Sequence, residues 1–277
     1  MIKPILQDDA FLKDVRNAAP NQLNLWWLGQ SGFLVKYHGR HLLIDPYLSD
    51  SLTKKYAGTD KPHMRITERV IAPERLDFVD VVTSSHNHTD HLDRETLIPL
   101  LKVNPDLKVL VSRANMDFAA NRLQVPLGRL TSIRVNEEPV TIAPFAFQAV
   151  PSAHETLEQD ENGDHKYIGL IIHVGERIIY HSGDAVPYAG LVETLKRWKI
   201  DIAVLPINGR DPTRGVAGNF TGQEAAELSK AIDARLVIPC HYEMFEFNSA
   251  SPQEFTNHAD GINQPHQILK CGARLSL

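Results

Sequence analysis

The chain has 277 residues, 43% of them hydrophobic, and a net charge of −5, which is enough for one large α/β domain with a sizeable core. Basic residues occur in nothing longer than pairs such as Lys54-Lys55 and Lys196-Arg197, which argues against a nucleic-acid partner. Two cysteines, Cys240 and Cys271, exclude a disulfide framework and a thiolate zinc site, and no apolar run reaches membrane-spanning length, so a cytoplasmic protein away from membranes is expected.

In chain order, residues 5 to 19 space Ile5, Leu6, Phe11, Leu12 and Val15 as a docked amphipathic helix does. LNLWWLG, GFLVKYH and HLLIDPYL then read as three strands of an antiparallel meander, separated by Gln30-Ser31-Gly32 and by a turn at Gly39, with Trp26 and Trp27 in the core. Residues 49 to 72 are polar and aperiodic, which predicts a long loop placed as a lid. Beyond them RETLIPLLKVN reads as a helix, KVLVS as a strand and RANMDFAANRLQ as a helix, the alternation of an α/β layer. SIRVN, PVTIAPFAFQAVPSAH, YIGLIIHV and ERIIYHSGD are strand runs, the last two a hairpin through Gly175-Glu176. A helix near 187 to 198, the strand IDIAVLP, a glycine-rich loop at 207 to 222, a helix at 222 to 233 and the strand RLVIPCH follow, and the tail QILKCGARLSL closes with short strands. The expected organisation is a single domain, residues 1 to 277, of two similar halves.

The densest chemistry lies in SSHNHTDHLD, residues 84 to 93, where His86, His88, Asp90 and His91 form H-x-H-x-D-H. The preceding run VDVVTSS has the apolar, β-branched character of a buried strand, so the motif opens where a strand ends. Ligand sites in α/β sheets lie at such ends. Neutral imidazole with carboxylate suits zinc or a similar first-row divalent ion. Three further strand ends carry residues of the same kind: His154 after FQAVPSA, Asp184 after IIYHSG and His241 after LVIPC. Together they make two sets, His86, His88, His154 and Asp184 for one ion, and Asp90, His91, Asp184 and His241 for a second, with Asp184 bridging. One or two ions per chain are expected.

This pattern resembles the metallo-β-lactamase superfamily, whose signature is H-x-H-x-D-H followed by isolated His, Asp and His at strand ends. Within it, WWLGQSG at 26 to 32, YHSGD at 180 to 184, IDIAVLP at 201 to 206, GRDPTRG at 209 to 215 and VIPCH at 237 to 241 look like the L-ascorbate-6-phosphate lactonase subfamily. The resemblance implies an α/β fold, a four-layer αββα sandwich with the site at the rim between its sheets, and manganese or zinc as the metal. It also implies hydrolysis of a lactone or carboxylic ester on a small phosphorylated sugar acid, with phosphodiester hydrolysis as the alternative. A non-catalytic metal-binding protein is disfavoured, since all seven ligands are present.

For that chemistry Asp90 is expected to orient the attacking hydroxide and carry a proton to the leaving alkoxide. His181, three residues before Asp184, is a second candidate for a catalytic role. In the loop INGRDPTRGVAGNFTG, Asn208, Arg210 and Arg214 are the candidates for the substrate's anionic group, because arginine matches phosphate or carboxylate bidentately. Tyr47, Tyr188 and Tyr242 follow strands of the site and are expected to line its pocket. Cys240, next to His241, should point away from the metal. Expected partners are a small anionic molecule and, at most, further copies of the same chain in a homo-oligomer.

Overall fold

Unbroken apolar runs need cover on both faces, and the computed structural model, which describes residues 1 to 277, supplies it with two sheets laid face to face. Strands β1 (Asn24–Gly29), β2 (Gly32–Tyr37) and β3 (Arg40–Ile44) form the antiparallel meander. The β2–β3 turn has His38 at φ 48° and Gly39 at φ 73°, the paired left-handed residues that match the twist of a two-residue hairpin. Strands β4 (Val81–Ser84), β5 (Lys108–Ser112) and β6 (Leu130–Ile133) then add in parallel to β3. The second sheet repeats the scheme with antiparallel β7 (Val140–Ile142), β8 (Phe145–Pro151), β9 (Ile168–Val174) and β10 (Arg177–His181), then parallel β11 (Ile202–Pro206) and β12 (Leu236–Cys240). The last strand, β13 (Arg274–Ser276), crosses back to pair with β1, so the first sheet runs β13-β1-β2-β3-β4-β5-β6.

Helices cover the outer faces, completing an αββα sandwich. They are α1 (Asp8–Asn17), α2 (Ser51–Lys55), α3 (Arg94–Val103), α4 (Met116–Leu123), α5 (Leu191–Leu195), α6 (Gly222–Ala231) and α7 (Gln253–Gly261). None is long and apolar enough to cross a membrane. Between the sheets lies one apolar core of 68 buried residues. Trp26 and Trp27 belong to it, Trp26 edge-on to Phe11 at 6.3 Å and Trp27 over Tyr242 at 4.5 Å. Cys240 is buried packing, its Sγ 4.0 Å from Ser31 Oγ.

Three expectations differ from the structure. The helix near 187 to 198 is only the short α5, because Gly190 enters it at φ 91° and Pro187 stands upstream. The tail contains a single short strand, and the stretch before it is α7, preceded by Pro252, and irregular chain. Residues 49 to 72 are not wholly loop: α2 opens them, and Arg65 makes an isolated bridge to Phe245 that ties the segment to the chain after β12.

Strands β3 and β4 are parallel neighbours, as are β10, β11 and β12, so their C-terminal ends open on one rim. That rim receives the loops beginning at Asp45, Ser85, Ser182, Ile207 and His241. Helix α6, which packs on β11 and β12, is started by a capping box in which Thr221 and Glu224 bond each other's backbone. A Cβ on its first residue, Gly222, would stand 2.5 Å from the Phe255 backbone nitrogen of α7. Gly222→Ala therefore forces two helices apart, and thermal denaturation should show a loss of about 1–3 kcal/mol. An unchanged melting temperature would mean that α7 shifts freely.

Candidate metal centre

The motif loop is shaped by its own polar side chains. Ser84 Oγ donates to His86 O at 2.7 Å, and the backbone nitrogens of His91 and Leu92 both donate to His88 O. Asp93 then caps α3, its carboxylate accepting from Glu95 N at 3.2 Å and from Thr96 Oγ1 at 2.5 Å. The loop is thus clamped between a strand end and a helix start. The opposing sheet approaches closely at Gly183, φ 61°, where any Cβ would meet Ser85 at 2.7 Å. Only glycine lets Asp184 reach the histidines from that side.

Two ligand groups result. The ring nitrogens of His86, His88 and His154 converge in one, and Asp90, His91, Asp184 and His241 form the other. Asp184 reaches both sets: its Oδ2 lies 3.6 Å from His154 Nε2 and 3.5 Å from His241 Nε2, and its Oδ1 lies 3.1 Å from His91 Nε2. Three imidazoles are held by the far nitrogen, which leaves Nε2 for the centre. His91 Nδ1 meets Asp45 Oδ2 at 2.6 Å, His154 Nδ1 donates to Gly218 O at 2.9 Å, and His86 Nδ1 lies 3.0 Å from Ser85 Oγ. His86 Nε2, His91 Nε2 and Asp184 Oδ1 are buried without a hydrogen-bond partner. Ring nitrogens and a carboxylate oxygen aimed at a shared point need a proton or a metal cation among them, and the donor set of imidazoles and carboxylates fits a divalent metal.

The electrostatics agree. Burial pushes His86 and His88 down, His88 to about 4, so both are neutral and ready to ligate. In the second set burial also disfavours charge, but Asp184 and Asp90 outweigh it, holding His91 well above the usual imidazole range and raising His241 to about 9. Burial likewise opposes ionisation of Asp90 and Asp184, and the adjacent His91 and His241 override it, so both carboxyls sit below the ordinary carboxylate range. In the metal-free cluster protons on His91 and His241 take the place of metal charge.

Several residues around the centre were not anticipated. Asp45, wholly buried at the end of β3 with φ 40°, orients His91 and also accepts from Ser85 N at 3.0 Å and from Ser85 Oγ. An aspartate closing the apolar run HLLID was the available signal. Gln30, in the β1–β2 turn, places its amide nitrogen 2.9 Å from Asp90 Oδ2 and 2.8 Å from His241 Nε2, while its carbonyl accepts from His241 N at 2.9 Å. Above the ligands opens a cavity of about 410 Å³, whose wall includes Leu52, Lys55, Tyr56, Lys61, His63, Phe118, Arg122 and Asn248.

The expected substrate residues do not border this cavity, although Arg210 borders a neighbouring one that shares His154 and Val216 with it. Arg210 is paired with Glu224, its Nη1 2.6 Å from Oε2, and turns toward α6. Arg214 donates to Asn208 O at 2.8 Å, and Asn208 is itself buried in a chain of amides with Asn219 and Asn248. These three shape the loop, whose Gly215, Val216 and Ala217 form the cavity wall. Tyr188 donates to Pro151 O at 2.9 Å, Tyr242 donates to Leu269 O, and Tyr47 OH accepts from Leu52 N at 3.0 Å, so all three hydroxyls serve the scaffold. His181 is no candidate acid or base. Its Nε2 donates to Ser31 O at 3.0 Å and its Nδ1 accepts from Gly183 N at 3.2 Å, which occupies both nitrogens beneath the cluster.

Two mixed sheets in an αββα sandwich, with histidines and aspartates gathered at one rim, define a metallo-hydrolase of the β-lactamase type. The beta-lactamase superfamily domain matches residues 24–241, and the chain belongs to that superfamily. It is a metal-dependent hydrolase. A UPF0173 metal-dependent hydrolase of Caldivirga maquilingensis is 27% identical over 91% of this chain and 97% of its own. A probable L-ascorbate-6-phosphate lactonase of Escherichia coli is 23% identical over 85% of this chain and 74% of its own. Among solved structures, a possible metal-dependent hydrolase of Veillonella parvula superposes with a TM-score of 0.73 at 16% identity, covering 94% of this chain and all of the other.

Two expectations follow from the geometry. A divalent ion binds only the deprotonated imidazole, so loading the second set at neutral pH must displace the proton that His241 holds up to about 9. Affinity for the second ion should therefore climb with pH above neutrality, because His91 as well as His241 must give up a proton, whereas His86 and His88, already neutral, need no such release. Calorimetric titration in buffers of different ionisation enthalpy measures the protons released per ion, and equal release for both ions would contradict the assignment. Asp45→Asn should weaken metal binding by about ten- to a hundredfold through loss of His91 orientation, read by competition with a chelating dye. Retained affinity would reduce Asp45 to a loop tie.

Proposed function

We propose that the chain hydrolyses a small anionic lactone or carboxylic ester, of the phosphorylated sugar-acid kind, in the cavity above the ligand cluster. The observation that carries this reading is the charge of the cavity mouth. Lys55 and Lys61 stand on the segment after β3, and Arg122 stands on α4 across from them. Arg122 is fixed by donation to Asn87 O at 2.6 Å and by stacking over Phe118 at 4.4 Å, while Lys55 lies 5.0 Å from the Tyr56 ring with no carboxylate partner. Cations around a polar, half-enclosed cavity attract a substrate whose negative charge lies away from the reacting carbonyl. The likeness to a probable L-ascorbate-6-phosphate lactonase supports the same substrate class.

Two divalent ions of the zinc or manganese kind, when bound, supply water activated at neutral pH and polarise the carbonyl. The chain supplies the rest. Asp90 faces the cavity and, oriented by the Gln30 amide, sets the direction of the attacking water and returns a proton to the leaving alkoxide. The segment from 49 to 72 acts as a lid, since Leu52, Lys55, Tyr56, Lys61 and His63 all border the cavity and Lys61 Nζ reaches across to Gly215 O. Two free, buried cysteines suit a cytoplasmic enzyme.

The test is turnover by metal-reconstituted protein on a phosphorylated lactone, its unphosphorylated counterpart, a phosphodiester and a thioester. Preference for the phosphorylated lactone is expected, and preference for the phosphodiester would shift the reading to a metal-dependent phosphodiesterase. Asp90→Asn should stay folded and lose on the order of a hundredfold in kcat. Lys55→Ala should raise KM for the phosphorylated lactone by roughly two- to fivefold, a range suited to an exposed cation, and leave the unphosphorylated one unchanged.

A further inference from the structure

His63 is one of thirteen histidines in the chain, and neither ligand set uses it. It lies in the lid segment yet is only 6% exposed, and it borders the same cavity as Asp90 and His241. Three aromatic rings fix its plane: Tyr56 stacks on it at 4.5 Å, and Phe245 and Phe247 meet it edge-on at 5.3 Å and 5.2 Å. Its backbone is held as well, since Thr53 Oγ1 of α2 donates to His63 O at 2.6 Å. The ring's Nδ1 lies 2.8 Å from the carbonyl oxygen of Lys61. A carbonyl can only accept, so Nδ1 carries the hydrogen and Nε2 of the neutral ring keeps a bare lone pair. No protein group bonds Nε2. Burial favours the neutral ring, with Lys55 and His241 acting in the same sense and the Lys61 carbonyl and Asp90 against it, and the net effect is a lowered pKa.

An immobilised acceptor on the cavity wall beside a hydrolytic centre is open to a donor from whatever enters. We propose that His63 is a specificity-determining residue whose Nε2 accepts a hydrogen bond from a hydroxyl group of the substrate, selecting hydroxylated over plain acyl compounds. The proposal rests on the reading of the cavity as the substrate site and narrows it. Lys55, Lys61 and Arg122 hold the anionic end, and His63 recognises a hydroxyl between that end and the reacting carbonyl. The contact exists in ground and transition states alike, so it acts on KM rather than on kcat. A single neutral hydrogen bond of this kind corresponds to about three- to tenfold in KM.

The decisive measurement does not depend on turnover. Long-range proton–nitrogen spectra of zinc-loaded protein labelled with ¹⁵N-histidine, with the His63 signals identified by their loss in His63→Phe, should show a protonated Nδ1 and an unprotonated Nε2 near neutral pH. A protonated Nε2 or a charged ring overturns the proposal. Gluconate should move the Nε2 signal and hexanoate, a carboxylate of the same length without hydroxyls, should not; an equal response or none to both overturns it. Kinetically, His63→Phe should raise KM for glucono-δ-lactone about three- to tenfold and leave δ-valerolactone unaffected. His63→Gln, whose amide oxygen can accept in its place, should recover part of the loss. Equal effects on both lactones count against His63, whereas hydrolysis of neither lactone would overturn the proposed reaction and leave the spectra to decide on His63.

Discussion

Two carboxylates, Asp90 and Asp184, and five close-packed imidazoles, four of them buried, are gathered at one point between the sheets. Such a group is tolerable only when positive charge sits among its members. Without metal, protons on His91 and His241 play that part; with metal, the ions do, and the protons leave. The surrounding structure serves this constraint. Asp45 and Ser85 hold His91, Gly218 holds His154, and Gln30 spans Asp90 and His241. Each contact fixes an atom that does not face the centre, or braces one that does.

The scaffold can impose this precision because none of the ligands sits on a free loop. Parallel strands deliver Ser84, Pro206 and Cys240 to one rim, and the loops after β8 and β10 are tied crosswise, Ser152 Oγ donating to Ser182 O at 3.0 Å and Val186 N to Ala153 O at 2.7 Å. The wall of the cavity formed by residues 49 to 72 is tied along its length as well: Arg65 bridges to Phe245 and donates to Asp50, Ile66 N donates to Met244 O at 2.9 Å, Glu246 N donates to Met64 O at 3.0 Å, and rings stack around His63.

Much of this was legible in the sequence. The strands were marked by apolar runs, and the seven histidines and aspartates that cluster at the rim by their positions at the ends of those runs, because backbone topology alone decides where a strand end points. What was not legible depends on side-chain direction. Arg210 and Arg214 had the right chemistry in a loop by the rim, yet Arg210 is engaged at the surface by Glu224 and Arg214 by the Asn208 carbonyl, and no spacing in GRDPTRG encodes that. His181 falls one strand residue too early and is consumed by Ser31 O and Gly183 N. Lys55, Lys61 and Arg122 are unremarkable singly and become a group only when α2 and α4 meet across the cavity. Gln30 looked like turn material, and its left-handed backbone, φ 52°, is what carries its amide to the centre.

The pairing of β13 with β1 bears on how the molecule is made. Strand β1 opens the first sheet, yet its outer edge is closed by Arg274–Ser276, a strand far removed from it in sequence. Without that pairing the edge is bare, and an uncovered apolar strand such as NLWWLG is a template for pairing with another chain. The contact also spans nearly the whole sequence, which makes it among the slowest to form. Strand β13 is therefore a guard as much as a structural element: the pairing that completes the first sheet also denies the edge of β1 to other chains.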